Sequence, residues 1–102
     1  MSEKHVQKAI LDYLAAKRIL AFRMNSGMLR NPAGRPVTFG VPGMADVLAF
    51  INWQYAIQPL WIECKAPRGK QTEIQKSFQE QVEAHGHKYL IARQLEDVME
   101  AL

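Results

Sequence analysis

The sequence lacks the features of secreted, membrane-spanning and thiolate-metal proteins. A single cysteine, Cys64, excludes an internal disulfide and is typical of a reducing cytosol. Three scattered histidines without partner cysteines exclude a Cys/His metal framework, so any bound metal would have to be held by oxygen. No apolar run approaches the roughly 20 residues that span a bilayer. No basic segment followed by an apolar core opens the chain, so we expect a cytoplasmic, non-secreted protein.

What the chain does contain is the composition of a globular domain. Its 102 residues are 48% hydrophobic and 23% charged, values that argue against disorder. The length suits one hydrophobic core and not two, so we expect a single domain over residues 1–102.

Apolar periodicity and turn residues predict an α/β domain with a mixed sheet flanked by helices. Ser2 and the Thr72–Gln75 capping box mark two helix starts, and Gly86 marks a helix end. Ala45–Ile51 is a near-continuous apolar run, which predicts a strand buried on both faces. The predicted elements are a helix over Glu3–Arg18, a strand over Ile19–Met24, a basic hairpin of Met28–Arg30 and Arg35–Phe39 around a type I turn, strands over Ala45–Ile51 and Pro59–Ala66 with a connection over Asn52–Gln58, a helix to His85, a strand over Lys88–Ala92 and a helix over Leu95–Leu102.

Three charged residues on the two central strands can meet at one point. Asp46 lies near the start of the first strand, and the second ends in Glu63-Cys64-Lys65. Successive side chains of a strand alternate between faces, so Glu63 and Lys65 share a face and Cys64 takes the other. If the strands pair as neighbours, Asp46, Glu63 and Lys65 converge.

Two carboxylates and an amine at a sheet edge suit metal-dependent hydrolysis of phosphodiesters. Mg²⁺ is held by one or two carboxylates while it keeps several waters, so Asp46 and Glu63 would suffice, with the Cys64 backbone carbonyl as a further oxygen ligand. Lys65 can orient the attacking water or stabilise the transition state as a point charge. The pattern Glu-x-Lys alone is weak evidence for catalysis, because it is usually a solvated ion pair on an edge strand. The apolar strands around it and the capped helix after it strengthen the interpretation.

Acidic residues are missing from the whole interval between Asp12 and Asp46. A charge run is most often a solvated face. Here basic segments flank the candidate site from both directions, which favours a phosphate-backbone partner. The basic residues are Lys17, Arg18, Arg23, Arg30 and Arg35 before the site, and Lys65, Arg68, Lys70 and Lys76 within and after it.

The pattern Gly43-x-x-Asp46, Glu63-x-Lys65, a turn bearing Gly69 and a helix containing Gln75 resembles the VRR-NUC domain, a virus-type replication-repair nuclease of the PD-(D/E)XK superfamily. Further echoes are Glu3 in the opening helix, residues 23–27 after the first strand, and residues 89–98. The resemblance covers the whole chain and implies a stand-alone protein of a bacterial or phage-infected cell, with the restriction-endonuclease-like core. Ala45, rather than the proline of the wider superfamily, precedes Asp46.

The resemblance implies Mg²⁺ or Mn²⁺ on Asp46, Glu63 and the Cys64 carbonyl, with Lys65 as the catalytic lysine. It also implies Gln75 and Glu3 as supporting residues. Gln75 has a rival role as the reciprocal residue of the capping box, and we expect one conformation to serve only one role. Glu3 could instead simply complement the helix dipole.

The function expected is structure-selective cleavage of DNA, with branched DNA such as four-way Holliday junctions as substrate. Stand-alone relatives resemble junction resolvases that act as homodimers, and a two-fold dimer suits a junction. The residues expected at DNA are Arg23, Asn25, Arg30, Arg35, Arg68, Lys70 and Lys76, of which Asn25 is more simply a turn residue. The alternatives are a non-catalytic DNA-binding module or accessory subunit, and a protein-interaction domain whose carboxylates form ordinary ion pairs.

Overall fold

A computed structural model of the chain describes residues 2–24 and 27–102, of which it describes only the backbone at 27, 28 and 39. In chain order, its elements are α1 (Glu3–Ala16), β1 (Ala21–Arg23), β2 (Gly27–Arg30), β3 (Pro36–Phe39), β4 (Val47–Trp53), β5 (Ala56–Cys64), α2 (Glu73–Ala84), β6 (Lys88–Ala92) and α3 (Leu95–Ala101).

The central sheet has the strand order β1-β4-β5-β6. β4 is antiparallel to both of its neighbours, β1 and β5, and β6 lies parallel to β5 after the α2 crossover. β2 and β3 form a separate two-stranded hairpin. The predicted mixed sheet flanked by helices is therefore confirmed at the level of an α/β fold. In the described part of the chain, none of the helices combines the length and apolarity needed to cross a membrane.

Two apolar clusters cover the two faces of the sheet. On one face, α1 and α3 pack on the inward side chains of β4 and β5, with Val6, Ile10 and Val98 fully buried. On the other face, Phe78 and Val82 of α2 pack against Ala45 and Trp61. The charged residues at the end of β5 thus lie between helices on both sides.

The sequence analysis was wrong about the link between β4 and β5. The predicted connection over Asn52–Gln58 is a tight hairpin, in which Trp53 pairs with Ala56 across Gln54 and Tyr55. Both turn residues have positive φ, 47° and 74°, as a type I′ turn requires. Neither is Gly, Asn or Asp, so the usual sequence signal for this turn is missing. Both strands therefore continue up to this turn, β4 as far as Trp53 and β5 from Ala56. At the site end, β4 begins at Val47 and β5 stops at Cys64, so both strands are shorter there than predicted.

Pro59 lies inside β5 because its missing N–H falls where no partner needs it. Phe50, opposite Pro59, donates its N–H to the Leu20 carbonyl on the β1 side. The backbone nitrogens of this pair therefore point away from each other, that of Phe50 toward β1 and that of Pro59 toward β6. β6 begins pairing only at Leu60, so the proline leaves no gap in the ladder.

β4 is buried on one face only, which corrects the prediction of burial on both. Val47 and Ala49 are fully buried under α1, whereas Leu48 and Phe50 on the α2 side are half-buried. Two other predicted limits also shift. α1 stops at Ala16 because Arg18 takes φ 58° and Ile19 donates to the Leu14 carbonyl, and β1 is shorter than the predicted strand.

The basic hairpin has the predicted turn. Gly34 donates its N–H to the Asn31 carbonyl at 2.8 Å, and the Asn31 side chain accepts from the N–H groups of Ala33 and Arg35. The capped helix was also predicted correctly. Thr72 caps α2, and Gly86, with φ 84°, ends it. Apolar spacing predicts that Ile74, Phe78, Gln81, Val82 and His85 form the inner stripe of α2. Of these, only Phe78 and Val82 are buried.

Candidate active site

Asp46 and Glu63 meet where β4 begins and β5 ends. Val47 pairs with Ile62, so Asp46 and Glu63 lie opposite each other one position further on. The Asp46 Oδ2 accepts a hydrogen bond from the Cys64 N–H at 2.8 Å. This bond, which sequence reasoning did not anticipate, fixes the Asp46 carboxylate against the end of the neighbouring strand.

Glu63 is a buried carboxylate with one oxygen left without a partner. The Glu63 residue is only 2% exposed to solvent. Oε2 accepts from Gln75 Nε2 at 3.2 Å and lies 3.7 Å from Lys65 Nζ. Oε1 is buried and has no hydrogen-bond partner among the described residues. A buried polar atom of this kind carries a large desolvation cost unless another ligand meets it.

The environment of Glu63 disfavours its charged form. Burial, followed by the negative charge of Asp46, raises the pKa of Glu63 from 4.5 to about 8, and Lys65 opposes the rise. A carboxyl group in this setting needs additional positive charge nearby to be ionised at neutral pH.

Lys65 is the cation already present at this point. It follows β5 directly, and its N–H continues the parallel ladder by donating to the Ala92 carbonyl at 2.9 Å. The residue is 7% exposed. Its Nζ lies 3.7 Å from Glu63 Oε2 and 3.9 Å from Glu3 Oε1, so it sits between two carboxylates.

Glu3 reaches the site from the first turn of α1. Ser2 caps this helix by accepting from the His5 N–H, which places Glu3 at the helix start. Its side chain is 57% exposed, yet its Oε1 is the second carboxylate oxygen near the Lys65 ammonium. The sequence left a site role and a dipole role open, and the position is compatible with both.

Gln75 occupies both of its rival positions at once, so the expectation that they exclude each other is wrong. Its Oε1 accepts from the Thr72 N–H at 2.9 Å and completes the capping box. Its Nε2 donates to Glu63 Oε2 at 3.2 Å. An amide has an acceptor at one end and donors at the other, so one side chain can serve the helix cap and the carboxylate together.

Gly43 allows α2 to come close enough for this contact. It has φ 76°, and a Cβ at that position would collide with the backbone carbonyl of Ile74 in the first turn of α2. The glycine of the Gly43-x-x-Asp46 pattern is therefore a steric requirement that sets the distance between Gln75 and Glu63.

The donor set fits a hard divalent cation. Asp46 and Glu63 present carboxylate oxygens, and the unpartnered Glu63 Oε1 is available to a ligand. No group of three or more His, Cys, Asp or Glu side chains suited to a metal occurs within residues 2–24 and 27–102. Two carboxylates nevertheless match Mg²⁺, which keeps several of its waters. Cys64 cannot offer a thiolate, because burial raises the pKa of its thiol to about 12 and its side chain lies in the core.

A second polar cluster lies beside the carboxylates and was not assembled by the sequence analysis. Gln71 Nε2 donates to Gln79 Oε1 at 2.9 Å and to the Tyr89 hydroxyl at 3.1 Å. Arg93 donates to the Gly69 carbonyl at 3.1 Å. These bonds tie the loop after Lys65 to α2 and β6. Nothing in the spacing of these residues reveals the contacts, since they join positions 8 to 24 residues apart.

The residues expected at DNA that the structure describes occupy four separate places. Arg23 is exposed at the end of β1, and Arg68 and Lys70 are exposed in the loop after Lys65. Lys76 forms an ion pair with Glu73 at 3.3 Å. Arg30 and Arg35 are exposed on the hairpin, where Arg30 donates to the Gly34 carbonyl. Asn25 lies outside the described residues.

The sequence offers two apolar candidates for a dimer surface, Trp53 with Tyr55 and the stripe over Leu95–Leu102, and they differ in their exposure. Tyr55 is fully exposed in the β4–β5 turn, and Lys88 Nζ lies 3.7 Å from the ring centroid of Trp53. In α3, Val98 is buried in the core, whereas Met99 and Leu102, which follows the helix, are exposed.

No family model matches the chain, and no curated protein matches it.

Proposed function

We propose that this protein is a metal-dependent DNA endonuclease with the PD-(D/E)XK core, of the VRR-NUC type that its motifs resemble. The observation that carries the proposal is the convergence of Asp46, a buried Glu63 with an unpartnered oxygen, and a buried Lys65 at one end of the sheet. Withdrawing any one of these charged side chains from water would cost free energy if it stood alone. Their grouping suits a cation and a phosphate.

Asp46, Glu63 and the Cys64 carbonyl would hold the cation. When bound, a divalent cation lowers the pKa of a water ligand and neutralises the non-bridging oxygens of the phosphate. Lys65 supplies a fixed positive charge beside the carboxylates, which stabilises charge that grows on the phosphate in the transition state. Gln75 and Glu3 hold Glu63 and Lys65 in place through their polar contacts.

The exposed basic residues would bind the phosphate backbone. Arg68 and Lys70 follow the catalytic lysine directly, and Arg30 and Arg35 lie on the protruding hairpin. No base-edge reader is evident among them, so we propose recognition of DNA shape, with branched DNA as substrate and a homodimer as the active form.

The test is cleavage of a four-way junction, a flap and a plain duplex by purified protein in Mg²⁺, Mn²⁺ or EDTA, with Asp46→Ala alongside. We expect metal-dependent cleavage with the junction preferred, and its loss in Asp46→Ala with DNA binding retained. Tight binding without cleavage in either metal would instead favour the non-catalytic DNA-binding module. Absence of binding at low salt would contradict both.

A further inference from the structure

Trp61 and His87 form one flat surface next to the candidate active site. The indole Nε1–H of Trp61 donates to His87 Nδ1 at 2.9 Å. The two ring planes differ by only 10°, and their centroids are 6.4 Å apart. Rings stacked face to face could not share a hydrogen bond through the in-plane indole N–H. The two rings are therefore joined edge to edge, as a single extended aromatic plane.

The position of this plane is fixed from several sides. Phe78 of α2 contacts Trp61 in an edge-to-face arrangement, with centroids 5.0 Å apart. The His87 N–H donates to the Val82 carbonyl at 3.0 Å, and Gln58 donates to the carbonyl of the preceding Gly86. Because Nδ1 of His87 accepts the indole proton, a neutral His87 carries its hydrogen on Nε2.

The Trp61–His87 pair lines an open cleft of about 370 Å³ between the loop at residues 41–44 and α2. Val41, Met44 and Phe78 supply apolar walls, and Gln81 supplies a polar group at the rim. Neither aromatic ring is fully buried. A pair of aromatic rings, apolar walls and a few polar groups suit a planar heteroaromatic ligand.

The cleft adjoins the carboxylates along β5. Trp61 and Glu63 are two residues apart on the same face of the strand, which separates them by about 6.6 Å. Because the two side chains are neighbours on one face of β5, a base on the Trp61–His87 pair would belong to a nucleotide close to a phosphate held at Glu63.

We propose that the cleft stacks an unpaired nucleobase of the DNA strand that is cut. Stacking on an aromatic surface tolerates any base, because every base has a π-face, and it requires that the base be out of its duplex. The site would therefore favour DNA in which a base near the cut is unpaired. This inference rests on the proposed nuclease function for the identity of its ligand, but its test does not depend on cleavage.

The experiment measures binding of a short single-stranded oligothymidylate in EDTA, against the same backbone with abasic residues. In a Trp53→Phe protein, Trp61 is the sole tryptophan and reports directly on the cleft. We expect the thymidylate to quench its fluorescence saturably and the abasic strand to bind without quenching. Equal quenching or equal affinity for the two strands would overturn the proposal.

Two His87 variants separate stacking from a structural role. His87→Ala removes the ring and the acceptor, whereas His87→Asn retains an acceptor for the indole N–H and removes only the ring. We expect both to bind the thymidylate about 5- to 100-fold more weakly, the span of base–aromatic stacking. His5→Ala, at an exposed histidine of α1, should bind like the unmodified protein. Normal binding by His87→Asn would refute the stacking role.

The two proposals fail separately. If Asp46-dependent cleavage occurs and abasic and base-containing strands bind alike, only the nucleobase site is refuted. If the base is bound and no cleavage occurs, the nuclease proposal is refuted, and the cleft remains a nucleobase site.

Discussion

Replacing Glu63 by Gln should stabilise the metal-free protein at alkaline pH and barely change it at acidic pH. Gln has nearly the shape of Glu and keeps an oxygen that can accept from Gln75, but it has no charge to bury. The pKa of Glu63 is raised from 4.5 to about 8, chiefly by burial and by the Asp46 carboxylate. The folded state therefore holds a proton on Glu63 that the unfolded chain releases at lower pH.

The direction follows from this difference in proton binding. Stability associated with a raised pKa is fully present below about pH 4.5 and is lost as the pH rises through about 8. A tenfold change in proton affinity is worth about 1.4 kcal/mol, so the loss is at most on the order of 5 kcal/mol. That is an upper value because part of the rise is repulsion that Glu63 shares with Asp46. It is nonetheless comparable with the roughly 5–15 kcal/mol that stabilises a small domain.

The assay is urea unfolding in EDTA between about pH 5 and pH 8, for the unmodified protein, Glu63→Gln and Glu80→Gln. Glu80 is an exposed glutamate of α2 and controls for the loss of one surface charge. We expect the unmodified protein and Glu80→Gln to lose stability together as the pH rises, and Glu63→Gln to lose less. Added Mg²⁺ should restore stability at about pH 8 only where Glu63 is present. Parallel profiles for all three proteins would refute the buried-carboxyl reasoning.

Three further substitutions test the packing that holds the site. Gly43→Ala should lower the free energy of unfolding by about 1–3 kcal/mol more than Gly34→Ala, because both glycines have positive φ but only Gly43 abuts the Ile74 backbone. Chemical unfolding compares the two variants, and equal losses would contradict the close approach. Ile62→Ala should cost about 2–5 kcal/mol of stability, since Ile62 is fully buried. Ile57→Ala should cost less than about 0.5 kcal/mol, since Ile57 is 61% exposed. Similar losses in thermal unfolding would contradict the assigned core. Thr72→Ala should cost about 1 kcal/mol by removing the α2 cap, whereas Thr72→Ser should retain most of it; a neutral Thr72→Ala would show that the capping box does not stabilise α2.

The convergence of the site was predictable because it depends on local rules. Alternation along β5 places Glu63 and Lys65 together, and pairing of neighbouring strands brings Asp46 opposite Glu63. The capping residues of α2 and the glycine after it were equally readable. The sequence also suggested that Gly43 belongs with Asp46, although only the structure shows that the reason is contact with Ile74.

What the sequence did not reveal depends on contacts between distant residues or on strained turns. The Trp61–His87 bond joins residues 26 positions apart, and no spacing rule predicts it. The Gln54–Tyr55 turn adopts positive φ without the residues that normally announce it, so the hairpin was missed. The dual role of Gln75 was missed for a chemical reason, because the two ends of its amide were treated as one.

The most direct test of the central claim is junction cleavage in Mg²⁺ by Asp46→Asn and by Asp12→Asn, with DNA affinity measured in parallel in EDTA. Asp12 is an exposed aspartate paired with Lys8 on α1 and controls for the change itself. Cleavage should be abolished by Asp46→Asn, unchanged by Asp12→Asn, and accompanied by similar DNA affinity in both. Cleavage by Asp46→Asn at the rate of Asp12→Asn would contradict the assignment of Asp46 to a metal-dependent active site.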